Sequence, residues 1–211
     1  MFQTFFAPKL ITALAVFAAA TGLASAQAVV TPDALVRQIS TEVIDTVKTD
    51  KEIQAGNLPK IIALVDAKVL PHVNFTRMTR IAVGRPWVGA TPDQQKRLLD
   101  EFKTLLVRTY SGALTQVKDQ NVQLKPYRAA AEDNEVVVRT EIKGKGEPIQ
   151  LDYRLEKTAA GWKIYDVNVL GVWLADTSFK SQFAPIISGS GIDGLITTLT
   201  DLNKKAAGGK G

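Results

Sequence analysis

The single histidine and the absence of cysteine narrow the chemistry open to this 211-residue chain. Without thiols there is no disulfide framework, no cysteine nucleophile and no thiolate metal site, and one imidazole cannot build a multi-histidine zinc or iron centre. A Ser-His-Asp triad would have to pass through His72, in Pro71-His72-Val73-Asn74, where nothing local supplies a nucleophile or an orienting acid. A capping or surface histidine is the simpler reading. Any other acid or base must be a carboxylate, a lysine or a tyrosine. Asp152, Arg154 and Glu156 alternate along one side of an amphipathic strand, and that alternation accounts for them. Asp166 falls where the apolar phase of its strand slips, so it is a candidate buried carboxylate. Such a group is either a base with a raised pKa or an anchor that ties down a bulge by accepting backbone amides, and the anchor is preferred. No phosphate loop, calcium loop or spaced ligand set is present, so no cofactor or metal is expected. Gly189, Gly191 and Gly194 lack the preceding strand of a dinucleotide fingerprint and read as helix punctuation.

The elements that hold these residues begin after a segment that is not part of the fold. Lys9 precedes an apolar run from Leu10 to Ala20, and Ala24-Ser25-Ala26 offers a peptidase its small residues. The run is too short to span a bilayer. Residues 1–26 are therefore expected to be a cleaved secretory signal, 27–203 one domain, and the Lys-, Ala- and Gly-rich 204–211 a flexible tail. Lys and Arg number 26 against 21 Asp and Glu. That mild excess, without a dense basic patch interleaved with aromatics, argues against nucleic acid and allows a weak attraction to anionic lipid surfaces.

Thr31-Pro32-Asp33 starts a helix with Leu35, Ile39, Val43 and Val47 on one face. A second follows Gly56-Asn57, with Leu58, Ile61, Ile62, Val65 and Val69 inward, and stops at Pro71. A third carries Phe75, Met78 and Ile81 to Gly84. Thr91-Pro92-Asp93-Gln94 is a capping box, and behind it an apolar stripe from Leu98 to Val117 is long enough to cross a sheet. The period then changes to two. Residues 121–127, 135–142, 149–156 and 162–172 read as an antiparallel meander of four strands, with a bulge near Tyr165-Asp166. Helix returns around Phe179, Phe183 and Ile187, breaks at Gly189-Ser190-Gly191, and resumes with Leu195, Ile196 and Leu199. The expected fold class is α+β, with a curled four-stranded antiparallel sheet packed against a helical layer.

Two stretches carry a family resemblance. The first runs from Leu70-Pro71-His72-Val73-Asn74-Phe75-Thr76-Arg77-Met78 through Val83-Gly84-Arg85-Pro86-Trp87 to Ala90-Thr91-Pro92-Asp93-Gln94-Gln95. The second is Trp162-Lys163-Ile164-Tyr165-Asp166-Val167 into Gly171-Val172, followed by Ser181-Gln182-Phe183 and Gly191-Ile192-Asp193-Gly194-Leu195-Ile196. Together they resemble the MlaC (toluene-tolerance) family over essentially all of 31–203. The chain departs from the family pattern at Trp173, where a small residue is usual, and at Phe179-Lys180, where a Tyr-Arg pair is frequent.

The resemblance implies a periplasmic phospholipid carrier, monomeric and without covalent chemistry. In that family the carrier moves glycerophospholipid between an outer-membrane lipoprotein complex and an inner-membrane ABC transporter with an MCE-domain subunit, which maintains outer-membrane lipid asymmetry. The acyl chains lie in an apolar pocket between sheet and helices. Periodicity within that fold nominates Phe75, Met78, Phe102, Leu106 and Tyr110 on helices, facing Val138, Leu151, Tyr153, Val169 and Val172 on the sheet. Trp173, Phe183, Ile187 and Leu195 are placed nearer the opening. Arg77, Arg80 and Arg85 either meet the headgroup phosphate or an acidic partner, or form a solvated face, which is the commoner explanation. Three alternatives stay open: a hopanoid-related lipid carrier, an isomerase or dehydratase using Asp166 or Tyr153, and an adaptor that binds only protein.

Overall fold

A computed structural model describes residues 30–130 and 132–208. The expected signal segment lies outside them. Helix α1 (Pro32–Thr49) has its proline in the first turn and Asp33 beside the positive end of the dipole. Thr31, expected to cap it, makes no side-chain bond to the helix. A short helix that periodicity did not show, α2 (Lys51–Gln54), exists because the Asp50 carboxylate accepts the amides of Glu52 and Ile53 at 2.9 and 3.1 Å. Helix α3 (Leu58–Leu64) widens into a π turn at Val65–Val69 and tightens to a 3-10 turn at Leu70–His72. Helix α4 (Phe75–Val83) is capped by Asn74 and ends at Gly84. In α5 (Pro92–Thr115) both halves of the capping box form: the Gln94 amide donates to Thr91 Oγ1 at 3.2 Å, and the Thr91 amide to Gln94 Oε1 at 2.9 Å.

The sheet has five strands where four were expected: β1 (Asn121–Leu124), β2 (Glu135–Lys143), β3 (Ile149–Thr158), β4 (Gly161–Val169) and β5 (Val172–Trp173), antiparallel and in sequence order. The expected strand 162–172 is divided by a two-residue turn at Leu170-Gly171, with φ of 51° and 92°. Both residues are left-handed, as a tight hairpin requires, although leucine is a poor choice for that conformation. The bulge is present. Arg154 faces Asp166 and Leu155 faces Ile164, which leaves Tyr165 as the additional residue on β4.

Cross-strand register sorts the side chains. Val138, Tyr153 and Val167 form one row on the apolar face, and Thr140, Leu151 and Val169 the next. Arg139, Asp152, Asn168 and Trp173 form a row on the polar face. Helix α1 covers one part of the apolar face, where Leu35, Val36 and Ile39 meet Val138, Leu155 and Ile164. Helices α4, α5 and α6 cover the part that ends in Val167 and Val169.

After β5 a π-helical segment, Leu174–Phe179, leads into α6 (Lys180–Gly208). Gly191, at φ 67° and ψ −169°, interrupts α6. The first half approaches α5 near Leu105 and Tyr110, and the second half starts at the other end, where Gln94 bonds Asp193 at 2.9 Å. Thr200 and Asn203 then bond Glu101, so the second half runs back along α5. The helix continues through residues 204–208, part of the expected tail, because lysine and alanine are good helix formers and lysine suits a helix C-terminus. Among the described residues no helix is long and apolar enough to cross a membrane.

Candidate functional site

An aromatic cluster centres on Phe102, which is 1% exposed. Its ring lies 5.7 Å from Phe75, near parallel, and 4.9 and 5.5 Å from Phe179 and Phe183, both edge-on. These are the favourable geometries for aromatic pairs. Around this centre the fold gathers nine of the fourteen nominated residues. Phe75 and Met78 come from α4, Phe102, Leu106 and Tyr110 from α5, Phe183, Ile187 and Leu195 from α6, and Val169 from the sheet.

The other five lie elsewhere. Val138 and Tyr153 belong to the layer beneath α1. Leu151 is half-buried farther along the apolar face, and Val172 is exposed at its edge. Trp173 pairs with Asn168 and therefore projects from the polar face, away from the aromatic cluster.

A partly open cleft of about 250 Å³ borders the cluster. Leu105, Tyr110, Phe179, Phe183, Ile186, Leu199 and Leu202 give it an apolar lining, and Thr109, Ser178, Gln182 and Thr198 add polar groups. Of the nominated residues, Tyr110 and Phe183 line it. The rest of its wall was missed because apolar periodicity identifies a helix face but not its neighbour. Both halves of α6 present stripes, and only the reversal at Gly191 brings the two together against α5. Phe75, Met78, Phe102 and Phe179 pack together in the layer between sheet and helices, and this cleft lies to one side of them, between α5, the 174–179 segment and α6. A second, more open hollow of about 430 Å³, lined by Gln54, Thr115, Val117 and Lys118, lies away from the aromatic cluster.

The polar face is organised by two arginines. Arg77 stacks over Tyr165 at 3.6 Å, pairs with Glu135 at 2.6 Å and also pairs with Glu156. Tyr165 donates its hydroxyl to Glu135 at 2.9 Å. Burial, then the hydrogen bond to Glu135, pushes that phenol up to about 12. Arg154 stacks over Trp173 at 3.9 Å and lies 3.1 Å from Asp176 and 3.5 Å from Asp166.

Asp166 is fully buried and accepts amides from Val167 and Ala175, both at 2.9 Å, and from Asp176 at 3.2 Å. Burial raises its pKa, and those bonds and Arg154 oppose the rise. This is the anchor geometry. Neither Asp166 nor Tyr153, the two groups an enzyme would have used, lines the cleft. His72 is half-buried, its pKa lowered by burial and then by Lys163. Arg80 and Arg85 are exposed and make no ion pair with any described residue. No group of three or more carboxylates and imidazoles among the described residues could hold a metal.

The fold is thus an α+β meander whose apolar face is closed by helices over an aromatic cluster, with Arg154, Asp166 and Glu156 on its other face. The profile of the MlaC protein family matches residues 37–201, and the chain belongs to that family. It is 24% identical over 172 residues to the intermembrane phospholipid transport system binding protein MlaC of Haemophilus influenzae, covering 80% of each chain. To the toluene tolerance protein ttg2D of Pseudomonas putida it is 26% identical over 164 residues, covering 77% of this chain and 76% of that one. A solved phospholipid-binding protein from Ralstonia solanacearum, in complex with a phospholipid, superposes with a TM-score of 0.80 at 47% identity, covering 83% of this chain and 98% of that one.

Proposed function

We propose that this chain is a periplasmic phospholipid carrier. It is exported on residues 1–26 and moves lipid between an outer-membrane lipoprotein complex and an inner-membrane ABC transporter with an MCE-domain subunit, so maintaining outer-membrane lipid asymmetry. The observation that carries this reading is the fold's likeness, at 47% identity, to a protein solved with phospholipid bound. The physical support is the aromatic cluster and the cleft beside it. Removing acyl chains from water gains about 0.8 kcal/mol per methylene, on the order of 20 kcal/mol for two chains. A membrane leaflet offers the same shelter, so a carrier must match it without greatly exceeding it. Direction then comes from the partners, and the carrier itself needs no catalytic residue.

The cleft, at about 250 Å³, falls below the roughly 300–1,000 Å³ usual for small-molecule sites. Holding a two-chain lipid therefore requires the layer between sheet and helices to part. Phe75, Phe102, Leu106, Tyr110, Val169, Phe183 and Ile187 are the side chains proposed to turn toward lipid when it does. Within the aromatic cluster the contacts are apolar and non-directional, while the Asn74 amide, donating to the Ile164 carbonyl at 2.7 Å, and the Arg77 pairs with Glu135 and Glu156 tie the start of α4 to the sheet and act as its hinge.

Native mass spectrometry of the protein taken from its own periplasm tests the reading. The expected result is a complex heavier by one phospholipid. Leu106→Asp and Val169→Asp, secreted and folded, should arrive empty. Wild-type protein that never carries lipid would overturn the proposal.

A further inference from the structure

The 174–179 segment is held at both ends by different chemistry. At its start the amides of Ala175 and Asp176 donate to the buried Asp166 carboxylate at 2.9 and 3.2 Å. Arg154, on β3, bridges Asp166 and Asp176 at 3.5 and 3.1 Å and stacks 3.9 Å over Trp173, the residue just before the segment. Lys180 adds a contact to Asp176 at 3.4 Å. At its far end Ser178 and Phe179 form part of the cleft wall, and Phe179 sits edge-on against Phe102. One guanidinium on the polar face thus fixes strand β4, strand β5 and the origin of a wall on the opposite side of the sheet. An arginine suits that position because its planar fork can serve two carboxylates while its face stacks on an indole.

We propose that Arg154 and Trp173 are positioning residues of the lipid site, clamping the segment that walls the cleft and so setting how fast it opens. The inference rests on the carrier reading. Neither residue lines the cleft, so neither is expected to touch cargo. The clasp acts on the barrier to opening, and loosening it should raise uptake and release together and leave the equilibrium occupancy unchanged.

The test uses the full exported chain and a phosphatidylglycerol with a pyrene-labelled acyl chain, followed from donor vesicles to protein and back. Arg154→Ala and Trp173→Ala should each speed both directions about tenfold, with occupancy kept within about twofold. Arg154→Lys should fall between, because lysine keeps a charge near Asp166 and Asp176 but not the planar stack. Thr91→Ala, which loses only the cap of α5, serves as the control for general loss of stability and should leave both rates unchanged.

Rates in Arg154→Ala and Trp173→Ala equal to wild type, or matched by Thr91→Ala, would overturn the proposal, as would a fall in occupancy, which marks damage to the site itself. If Arg154→Ala does not fold, because Asp166 is left buried without its cation, Trp173→Ala decides alone. A wild-type protein that takes up no probe sinks the carrier reading instead.

Discussion

Two apolar layers share one face of the sheet, and they are built differently. Beneath α1, the buried members Leu35, Val36, Ile39, Val138, Leu155 and Ile164 are all aliphatic, and the aromatic residues of this layer, Tyr127, Tyr153 and Trp162, sit only partly buried at its border. Beneath α4, α5 and α6, four phenylalanines meet at ring-centre distances of 4.9–5.7 Å, partly buried side chains surround them, and a cleft opens at the margin. Aliphatic side chains interlocked at crystal-like density make a layer that resists change. Flat rings on separate helices can turn as plates without leaving apolar surroundings. On the carrier proposal the first layer keeps the domain folded and the second is the one that parts for lipid.

The sharpest way to break that distinction is to remove one large side chain from each layer. Phe102→Ala should cost about 3–5 kcal/mol of stability and enlarge the cleft, so that the folded fraction binds lipid more readily. Leu155→Ala should cost about 2–5 kcal/mol without altering lipid exchange. Denaturant titration gives the stabilities, and pyrene-lipid transfer gives the exchange. Equal effects on exchange would show the two layers to be one.

Gly191→Ala comes next, at about 1–3 kcal/mol, because φ 67° with ψ −169° is a conformation essentially confined to glycine. Open space surrounds the missing Cβ, so the cost is backbone strain alone. Since this residue joins the two halves of α6 that wall the cleft, lipid exchange should change with the thermal midpoint. Thr91→Ala should cost about 1 kcal/mol and leave exchange untouched.

The smallest effect is a pH dependence on the polar face. Hydrogen bonds from Arg77 and Tyr165 hold Glu135 below the usual carboxylate range, and Arg154 and Lys180 do the same for Asp176. Their stabilisation is complete above the unfolded-state value near about 4 and is lost as pH falls through the depressed folded values. Asp166 has the opposite sign: its raised pKa means that its charge costs stability at neutral pH, and acidification relieves that cost. Between about pH 5 and pH 3 the melting temperature of wild type should fall, and that of Glu135→Gln should fall less.

Much of this arrangement is written in local pattern. The capping box at Thr91 and Gln94 announced α5, the phase slip announced the bulge at Tyr165, and helical periodicity found most of the aromatic cluster. What pattern could not carry was partnership and parity. An unbroken strand through 172 would set Trp173 on the same side as Val169. The two-residue turn at Leu170-Gly171 pairs Val169 with Val172 and sends Trp173 to the other face. Gly171 was the one local sign of that turn, and Leu170 hid it, because leucine is not a residue that left-handed turns select. Phe179 and Leu199 were visible as stripe residues, yet their meeting depends on the reversal at Gly191, which is a tertiary fact. The two arginine clasps were hidden for the same reason: Arg77 is 79 residues from Glu156, and Arg154 is 22 from Asp176.

Leu199 and Leu202 form one side of the cleft and stand far along the chain from Leu105 and Tyr110, which form another. Closing so long a loop costs entropy that only the finished packing repays. The receptacle is therefore a late product of folding, absent from any partly folded chain in which the second half of α6 has not docked on α5.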